Sequence, residues 1–364
     1  MESRIDRGLI LLTSLLLLYG LVMVYSASAP FALRHFNTSS HLFLKQLIAA
    51  AIGAGLLVFL AYFDYHRLER IHDVAFLGSF LLTCVTLFPL TGITEGRWLH
   101  VGPFALQPTE FLKLALILYL AVTIVRKGPR IKSFTEGVLP FAVIFLVLSG
   151  VIMNQPDFGM VLMLGILILS MLFLGGARLW HLGSLGIGII PFALLAIYAA
   201  PYRMARLLAF FNPQAHRTSS GYQVIQSLIA IGSGGILGRG LGASRTKLFY
   251  LPQSHNDFIF SVTAEELGMV GSFLLIGLFG ALAWRSFEIA RYAPDRLGAL
   301  LALGIGFAIT AQALVNFGVA MGVLPVTGLT LPFISNGGSS LIVTLSMIGV
   351  LLNISKQGGH RCGS

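Results

Sequence analysis

Charge is scarce in this sequence. Only 10% of its 364 residues are Asp, Glu, Lys or Arg, against about 25% in a soluble domain. Acidic residues are scarcer than basic ones, 14 against 24. There are 2 cysteines, Cys84 inside an apolar stretch and Cys362 in the polar tail, which excludes a disulfide framework and a cysteine metal site. H-E-x-x-H, Walker and D-x-D patterns are missing, so zinc protease and P-loop chemistry are excluded. Alternating segments of about ten residues are missing too, which excludes a membrane β-barrel.

What fills the space is apolar surface, 56% of the residues. A soluble fold of this length cannot hide that much, and the bilayer is its natural solvent. A membrane span needs about 20 mostly apolar residues. Ten stretches qualify: Leu9–Tyr25, Leu47–Phe63, Val74–Leu90, Phe111–Val125, Val138–Met153, Phe158–Leu174, Leu182–Ala200, Phe258–Trp284, Leu297–Val323 and Ser339–Ile354. Lipid satisfies no backbone hydrogen bonds, so helices are expected. The sequence predicts an all-α integral membrane protein, a single polytopic domain over 1–364 with about ten transmembrane helices. The first stretch has no small-residue cleavage site and reads as a retained span. Residues 358–364 read as a disordered tail of the kind left by cloning.

The net charge of +10 fits membrane orientation better than nucleic acid, because the basic residues sit in short clusters between apolar stretches. With the N-terminus inside, Arg4, Arg7, Arg67, Arg70, Arg126, Lys127, Arg130, Lys132, Arg178, Arg285, Arg291, Arg296 and Lys356 are cytoplasmic. The short outer loops then hold only Arg34, Lys45 and Arg97. Both termini are expected inside. The segment 201–257, between the seventh and eighth helices, reads as a long extracytoplasmic loop. It carries Arg203, Arg206, Arg217, Arg239, Arg245 and Lys247, and loops of this length are usually functional. An anionic ligand outside the membrane explains its charge better than a plain solvated surface.

Polar residues gather at that same outer side: Arg97-Trp98, Gln107 to Glu110 with Lys113, Asn154 to Gly159, Leu251 to Phe258, and Pro325 to Ser340. One shared cavity is the expectation. Glu110 and Lys113 are spaced i, i+3 and can face each other, as a structural ion pair or as cavity-lining groups. Asp257, where the basic loop re-enters the membrane, has two readings. It can cap the eighth helix, or, with a pKa raised by partial burial, act as a general base. His255 is a weaker second base. Glu265 and Glu266 are adjacent, point apart on a helix and suit packing. The glycines at 232, 234, 235, 238, 240 and 242 follow no strand, so they form no dinucleotide fingerprint, but their amides can meet an anion.

Together these residues resemble the SEDS family (shape, elongation, division and sporulation), most closely its rod-shape branch. The resemblance runs over nearly the whole chain: Arg97-Trp98 through Gln107-Pro108-Thr109-Glu110-Phe111-Leu112-Lys113, then Gln155-Pro156-Asp157-Phe158-Gly159, Gly221-Tyr222-Gln223, Gln226-Ser227, Ala230 to Gly235 with Gly238, Leu251-Pro252 with His255, Asp257 to Phe260, Glu265-Glu266-Leu267-Gly268, and Gly328 to Phe333 with Ser335 and Gly337 to Ser340. Thr109 stands where the family usually has Ser, and Gln253 where it often has Glu. The short chain without terminal extensions favours the rod-shape branch.

The resemblance implies a peptidoglycan glycosyltransferase of the bacterial cytoplasmic membrane, acting in cell-wall elongation and cell shape. It would polymerise lipid II into β-1,4 glycan strands, release undecaprenyl diphosphate, and work beside a class B penicillin-binding protein that crosslinks. Asp257 would be the catalytic residue. Inverting transfer needs one displacement and one base, and cations must hold the departing diphosphate. Lys45, Arg97, Lys113, Arg203, Arg206, Arg245 and Lys247 are candidates, with Trp98, Gln107, Glu110, His255 and Ser339 as further substrate-binding positions. No nucleotide is needed. A divalent cation, Mg or Mn, would aid the leaving group, but no carboxylate cluster to hold one is visible. The competing classes are a lipid-linked precursor flippase and a non-catalytic scaffold of the cell-wall complex. A transporter favours repeats and midplane charges, whereas here the polar motifs lie on one side.

Overall fold

The computed structural model describes residues 5–88, 93–102, 104–155, 157–198, 200–216, 220–248 and 251–358. Pro156, Arg217 and all of the expected tail except Gly358 lie outside them.

Among these residues the chain forms twelve α-helices and three short strands: α1 (Arg7–Phe36), α2 (His41–Tyr62), α3 (Tyr65–Val85), β1 (Thr94–Glu95), β2 (Trp98–Val101), β3 (Phe104–Leu106), α4 (Pro108–Lys127), α5 (Leu139–Met153), α6 (Phe158–Leu174), α7 (Leu179–Tyr198), α8 (Pro201–Phe211), α9 (Ser220–Gly234), α10 (Ile259–Arg291), α11 (Arg296–Ala320) and α12 (Gly338–Gln357). Each of the ten expected spans falls on a helix. Seven helical stretches are long and apolar enough by themselves to cross a membrane, those of α1, α2, α4, α5, α10, α11 and α12. Helix α6 is shorter, and in α7 the apolar helix runs Leu179–Pro191. The first turns of α3 carry Arg67, Glu69, Arg70 and Asp73, which dilute its apolar character. The chain is an all-α membrane protein.

Local chemistry sets the helix ends. Asp6, Asp64, Asp157 and Asp295 cap α1, α3, α6 and α11, each accepting a backbone N–H of the first turn, which satisfies one of the donors a helix start leaves unpaired. Pro108 occupies the first turn of α4, where its missing N–H costs nothing. In the packed bundle α12 is central, with 94% of its apolar window buried, against 22% for α2 at the periphery. Between α3 and α4 the chain forms a small antiparallel sheet in the order β1-β2-β3, with Thr94 opposite Leu99 and His100 opposite Ala105.

Two expectations change. The segment 201–257 is not a plain loop, since it contains α8, a 3-10 turn at Pro213–His216 and α9. The eighth span is not one straight helix either. Helix α10 breaks at Gly268, whose φ of 65° and ψ of −161° lie in a region open essentially to glycine alone. The chain folds back there. In a continuous helix Phe260 and Phe279 would stand about 28 Å apart. Both rings instead pack on Phe317, at centroid distances of 4.7 and 5.8 Å.

Candidate active site

At one end of the bundle the starts of α4, α6 and α12 meet. The Gln107 amide N–H donates to Ser339 Oγ at 3.0 Å, and the Gln107 side chain donates to Asp157 Oδ2 at 3.1 Å. Arg97, from the turn before β2, pairs with the same Asp157 oxygen at 2.9 Å, and its guanidinium lies 5.8 Å from the Trp98 ring centre. Asp157 also caps α6 through Met160 N–H. Three helix starts thus point their positive dipole ends to the place where Arg97 and Asp157 pair.

The 255–257 backbone is stitched onto this platform. Asn336 N–H donates to His255 O at 3.0 Å, Ser335 Oγ to Asn256 O at 2.6 Å, and Asn316 Nδ2 to both Asp257 O (3.0 Å) and Leu329 O (2.8 Å). The Asp257 carboxylate itself is half-buried and accepts no hydrogen bond among the described residues. A methyl group placed on Gly328 would lie 3.8 Å from Asp257 Oδ2, so the glycine keeps that side open. Asp257 does not cap α10. The helix begins at Ile259, and its cap position, Phe258, makes no side-chain cap bond. Burial pushes the Asp257 carboxyl above the usual carboxylate range and nearby Asp157 adds to this, while Arg97 and Arg206 pull the other way. A carboxylate held so is suited to take a proton near neutral pH. His255 packs its ring 4.9 Å from Phe31, and burial lowers its pKa to about 4. It is neutral at pH 7 and supplies no positive charge.

Two openings lie near Asp257, though its side chain lines neither of them. One is a cleft of about 340 Å³ lined by Lys45, Gln46, Trp98, His100, Asn256, Asn336 and Ser339, with an apolar wall of Leu42, Ala49, Ile52 and Ile342. The other is a pocket of about 40 Å³ between Tyr202, Arg203, Arg206 and Thr327. Lys45 is exposed in the cleft. Arg206 spends one donor on Val326 O at 3.3 Å. Arg203 is bound to Met153 O and to Tyr202 Oη, both at 2.8 Å. The Arg245 side chain is exposed on the loop surface.

Three expected site residues sit elsewhere. Lys247 is buried and pairs with Glu266 at 2.7 Å, outside the cleft. Glu110 and Lys113, each 2% exposed, line neither opening. They form a 2.6 Å ion pair in the packed interior, where Lys113 also donates to Gln312 Oε1 at 2.6 Å. Gln312 in turn donates to Thr330 O at 2.9 Å, and Thr330 bonds Ser340 at 3.1 Å, so the pair supports the loop beside Asp257 from behind. In the glycine-rich run several amides are already spent within the protein: Gly238 N–H on Gly234 O at 2.9 Å, and Arg239 N–H and Gly240 N–H on Glu265 O and Glu266 O, at 3.0 and 2.9 Å. Glu265 and Glu266 both face the 244–247 segment, with Ser244, Arg245 and Thr246 donating to Glu265. Among the described residues no group of three or more His, Cys, Asp or Glu is placed to hold a metal ion.

Sequence reasoning missed Gln46, Gln312 and Asn316. Their signal was present. Gln312 and Asn316 are i, i+4 on one face of an otherwise apolar helix, and polar groups in a span are costly unless used.

Residues 6–360 match the family model described as "Cell cycle protein", covering FtsW, RodA and SpoVE. The chain is 42% identical over 354 residues to the probable peptidoglycan glycosyltransferase FtsW of Trichlorobacter lovleyi, spanning 96% of this chain and 93% of that one. It is 43% identical over 356 residues to stage V sporulation protein E of Bacillus subtilis, spanning 96% and 97%. Among solved structures, it resembles a chain of one titled "Structural coordination of polymerization and crosslinking by a peptidoglycan synthase complex", with a TM-score of 0.76 at 34% identity over 96% of this chain and 97% of that one. It also resembles the rod shape determining protein RodA of Thermus thermophilus, with a TM-score of 0.67 at 29% identity over 96% of each chain. A match of this extent, over a platform that joins all the polar motifs around Asp257, places the chain in the SEDS family, with the FtsW, RodA and SpoVE proteins.

Proposed function

We propose that this chain is a peptidoglycan glycosyltransferase that polymerises lipid II into β-1,4 glycan strands on the outer face of the cytoplasmic membrane. The observation that carries this reading is the Asp257 carboxylate, half-buried, accepting no hydrogen bond among the described residues, within electrostatic reach of Arg97 and Arg206 and near a cleft bearing Lys45 and a pocket bearing Arg206. The acceptor sugar hydroxyl gives its proton to Asp257 as its oxygen attacks the anomeric carbon of the donor. The bond from that carbon to the undecaprenyl diphosphate breaks, its electron pair leaves with the diphosphate, and the anomeric configuration inverts. One base suffices for such a step. Lys45, Arg97 and Arg206 stabilise the charge that builds on the departing oxygen. The apolar wall of Leu42, Ala49, Ile52 and Ile342 gives the prenyl chain a route from the cleft to the lipid. A divalent cation would be bound chiefly by the diphosphate oxygens.

The positive-inside bias supports a topology with Lys132 in the cytoplasm and Asp257 outside. The likeness to a peptidoglycan synthase complex supports a class B penicillin-binding protein as partner. Cell elongation is the branch proposed from the resemblance, while the relatives in sequence bear division and sporulation names and the RodA likeness is one of structure. Rescue of rod shape in a depletion strain tests that branch. The activity is tested with purified protein and lipid II in detergent, with and without the cognate transpeptidase, scoring glycan polymer. Asp257→Asn should bind lipid II and polymerise it about 10²–10⁴-fold more slowly. Wild-type rates from that variant would remove Asp257 from the chemistry.

A further inference from the structure

The break at Gly268 is spliced to the glycine-rich run. In an unbroken helix the N–H groups of Met269 and Val270 would bond Glu265 O and Glu266 O. Here they bond Gly235 O and Ile236 O, at 3.0 and 3.2 Å, and the two freed carbonyls take Arg239 N–H and Gly240 N–H. These four backbone groups all find partners in residues 235–240. The fit leaves no room: a methyl at Gly268 would lie 2.3 Å from Gly238 N, and one at Gly238 would lie 2.2 Å from Glu266 O. The short arm 259–267 is thus bonded to residues 239–247 through both backbone and side chains.

A buried ion pair sits at the same elbow, and the proposed chemistry does not use it. Glu266, with no exposed surface, takes Lys247 Nζ at 2.7 Å and Ser26 Oγ at 2.8 and 2.7 Å, and Lys247 Nζ also donates to Ser26 Oγ at 3.0 Å. Ser26 belongs to α1, and α1 also holds the far arm, through Tyr19 Oη donating to Gly271 O at 3.2 Å. One helix therefore grips both sides of the elbow.

Resting on the reading of Asp257 as the base, we propose that Glu266, with Lys247 and Ser26, is a positioning residue: it fixes the angle of the arm 259–267 and so the place of Asp257 relative to Arg97, Arg206 and the Lys45 cleft. The arm is a lever. From Gly268 to Asp257 is about 15 Å of helix, so a swing of about 4° moves the carboxylate about 1 Å. A misplacement of that size can cost about 10²-fold in rate.

The test compares Lys247→Met, Glu266→Gln, Ser26→Ala and the double variant Lys247→Met/Glu266→Leu, measuring melting temperature, kcat and KM for lipid II, and backbone amide hydrogen exchange. The single charge variants leave one buried group unpaired and are expected to melt early. The double variant removes both and should melt like wild type, because replacing a buried pair with apolar groups is often neutral. If Glu266 positions Asp257, the double variant still loses about 10–100-fold in kcat with KM changed less than about threefold, and exchange quickens at 239–240 and 258–267 but not in α11. Ser26→Ala, which cannot unfold the chain by stranding a charge, should lose kcat severalfold. Recovery of kcat together with melting temperature in the double variant, or unaltered exchange at 258–267, overturns the proposal. If wild-type protein itself makes no polymer, the proposed function falls, and the exchange comparison still decides the latch.

Discussion

Lys113→Met tests whether a buried ion pair behind the site supports the chemistry. Lys113 Nζ is the shared donor for Glu110 Oε2 and Gln312 Oε1, both at 2.6 Å, in a place with almost no access to water. Removing the ammonium strands the carboxylate and the amide oxygen together. Breaking a buried pair from one side costs about 3–5 kcal/mol. The second partner matters for function, because Gln312 holds Thr330, in the same loop whose Leu329 O shares the Asn316 side chain with Asp257 O. Lys113→Met should therefore lower both the melting temperature and the lipid II turnover per folded molecule. Glu110→Gln should lose less of both, since the amide oxygen still accepts from Lys113. Combining Lys113→Met with Glu110→Gln should recover most of the stability, because no charge is left unpaired. The assay is thermal melting in detergent alongside polymer yield from lipid II, normalised to folded protein. Full turnover in Lys113→Met would refute the claim that the pair supports Asp257. A stability loss under about 1 kcal/mol would refute the claim that it is desolvated.

The folded-state pKa of Asp257 is raised, so its ionisation costs stability that is lost as pH rises through that value; Asp257→Asn should melt no lower than wild type at pH 7, and a clear destabilisation there would contradict the burial argument. Wild-type turnover should rise with pH through the same window, as the base loses its proton. His255 behaves in the opposite sense: its pKa falls from 6.5 to about 4, so stability is lost as pH falls from 6.5 towards 4, by up to about 3 kcal/mol. His255→Gln should flatten the melting temperature between those pH values. A cysteine at Gln214 should react with an impermeant reagent added outside cells and one at Lys132 should not; the reverse labelling would invert the topology and move Asp257 to the cytoplasm.

The ten helices were legible in the sequence because each is specified locally. About 20 apolar residues leave the backbone no option in lipid but to bond to itself, and the caps that start α1, α3, α6 and α11 lie within three residues of the bonds they make. The polar motifs that meet around Asp257 were legible too, since each stands out against apolar surroundings. What local pattern could not assign was the fate of individual charges. Lys45 and Lys247 read alike as outer-side cations, yet Lys45 lines an open cleft and Lys247 is paired with Glu266 and donates to Ser26, which lies 221 positions away in the chain. Asp157 and Asp257 likewise both precede a phenylalanine that opens a helix, yet one caps α6 and the other is left without a donor among the described residues, because Asn316 takes hold of the backbone at Asp257 rather than its side chain. The elbow at Gly268 was hidden for the same reason. A glycine in a span is ordinary, and this one breaks its helix only because residues 235–240 are folded against it to accept and donate the four hydrogen bonds that the break releases. Where the long apolar helices lie was thus a property of the sequence alone, whereas which charges stay free to meet a substrate depends on partners that only the tertiary structure brings within reach.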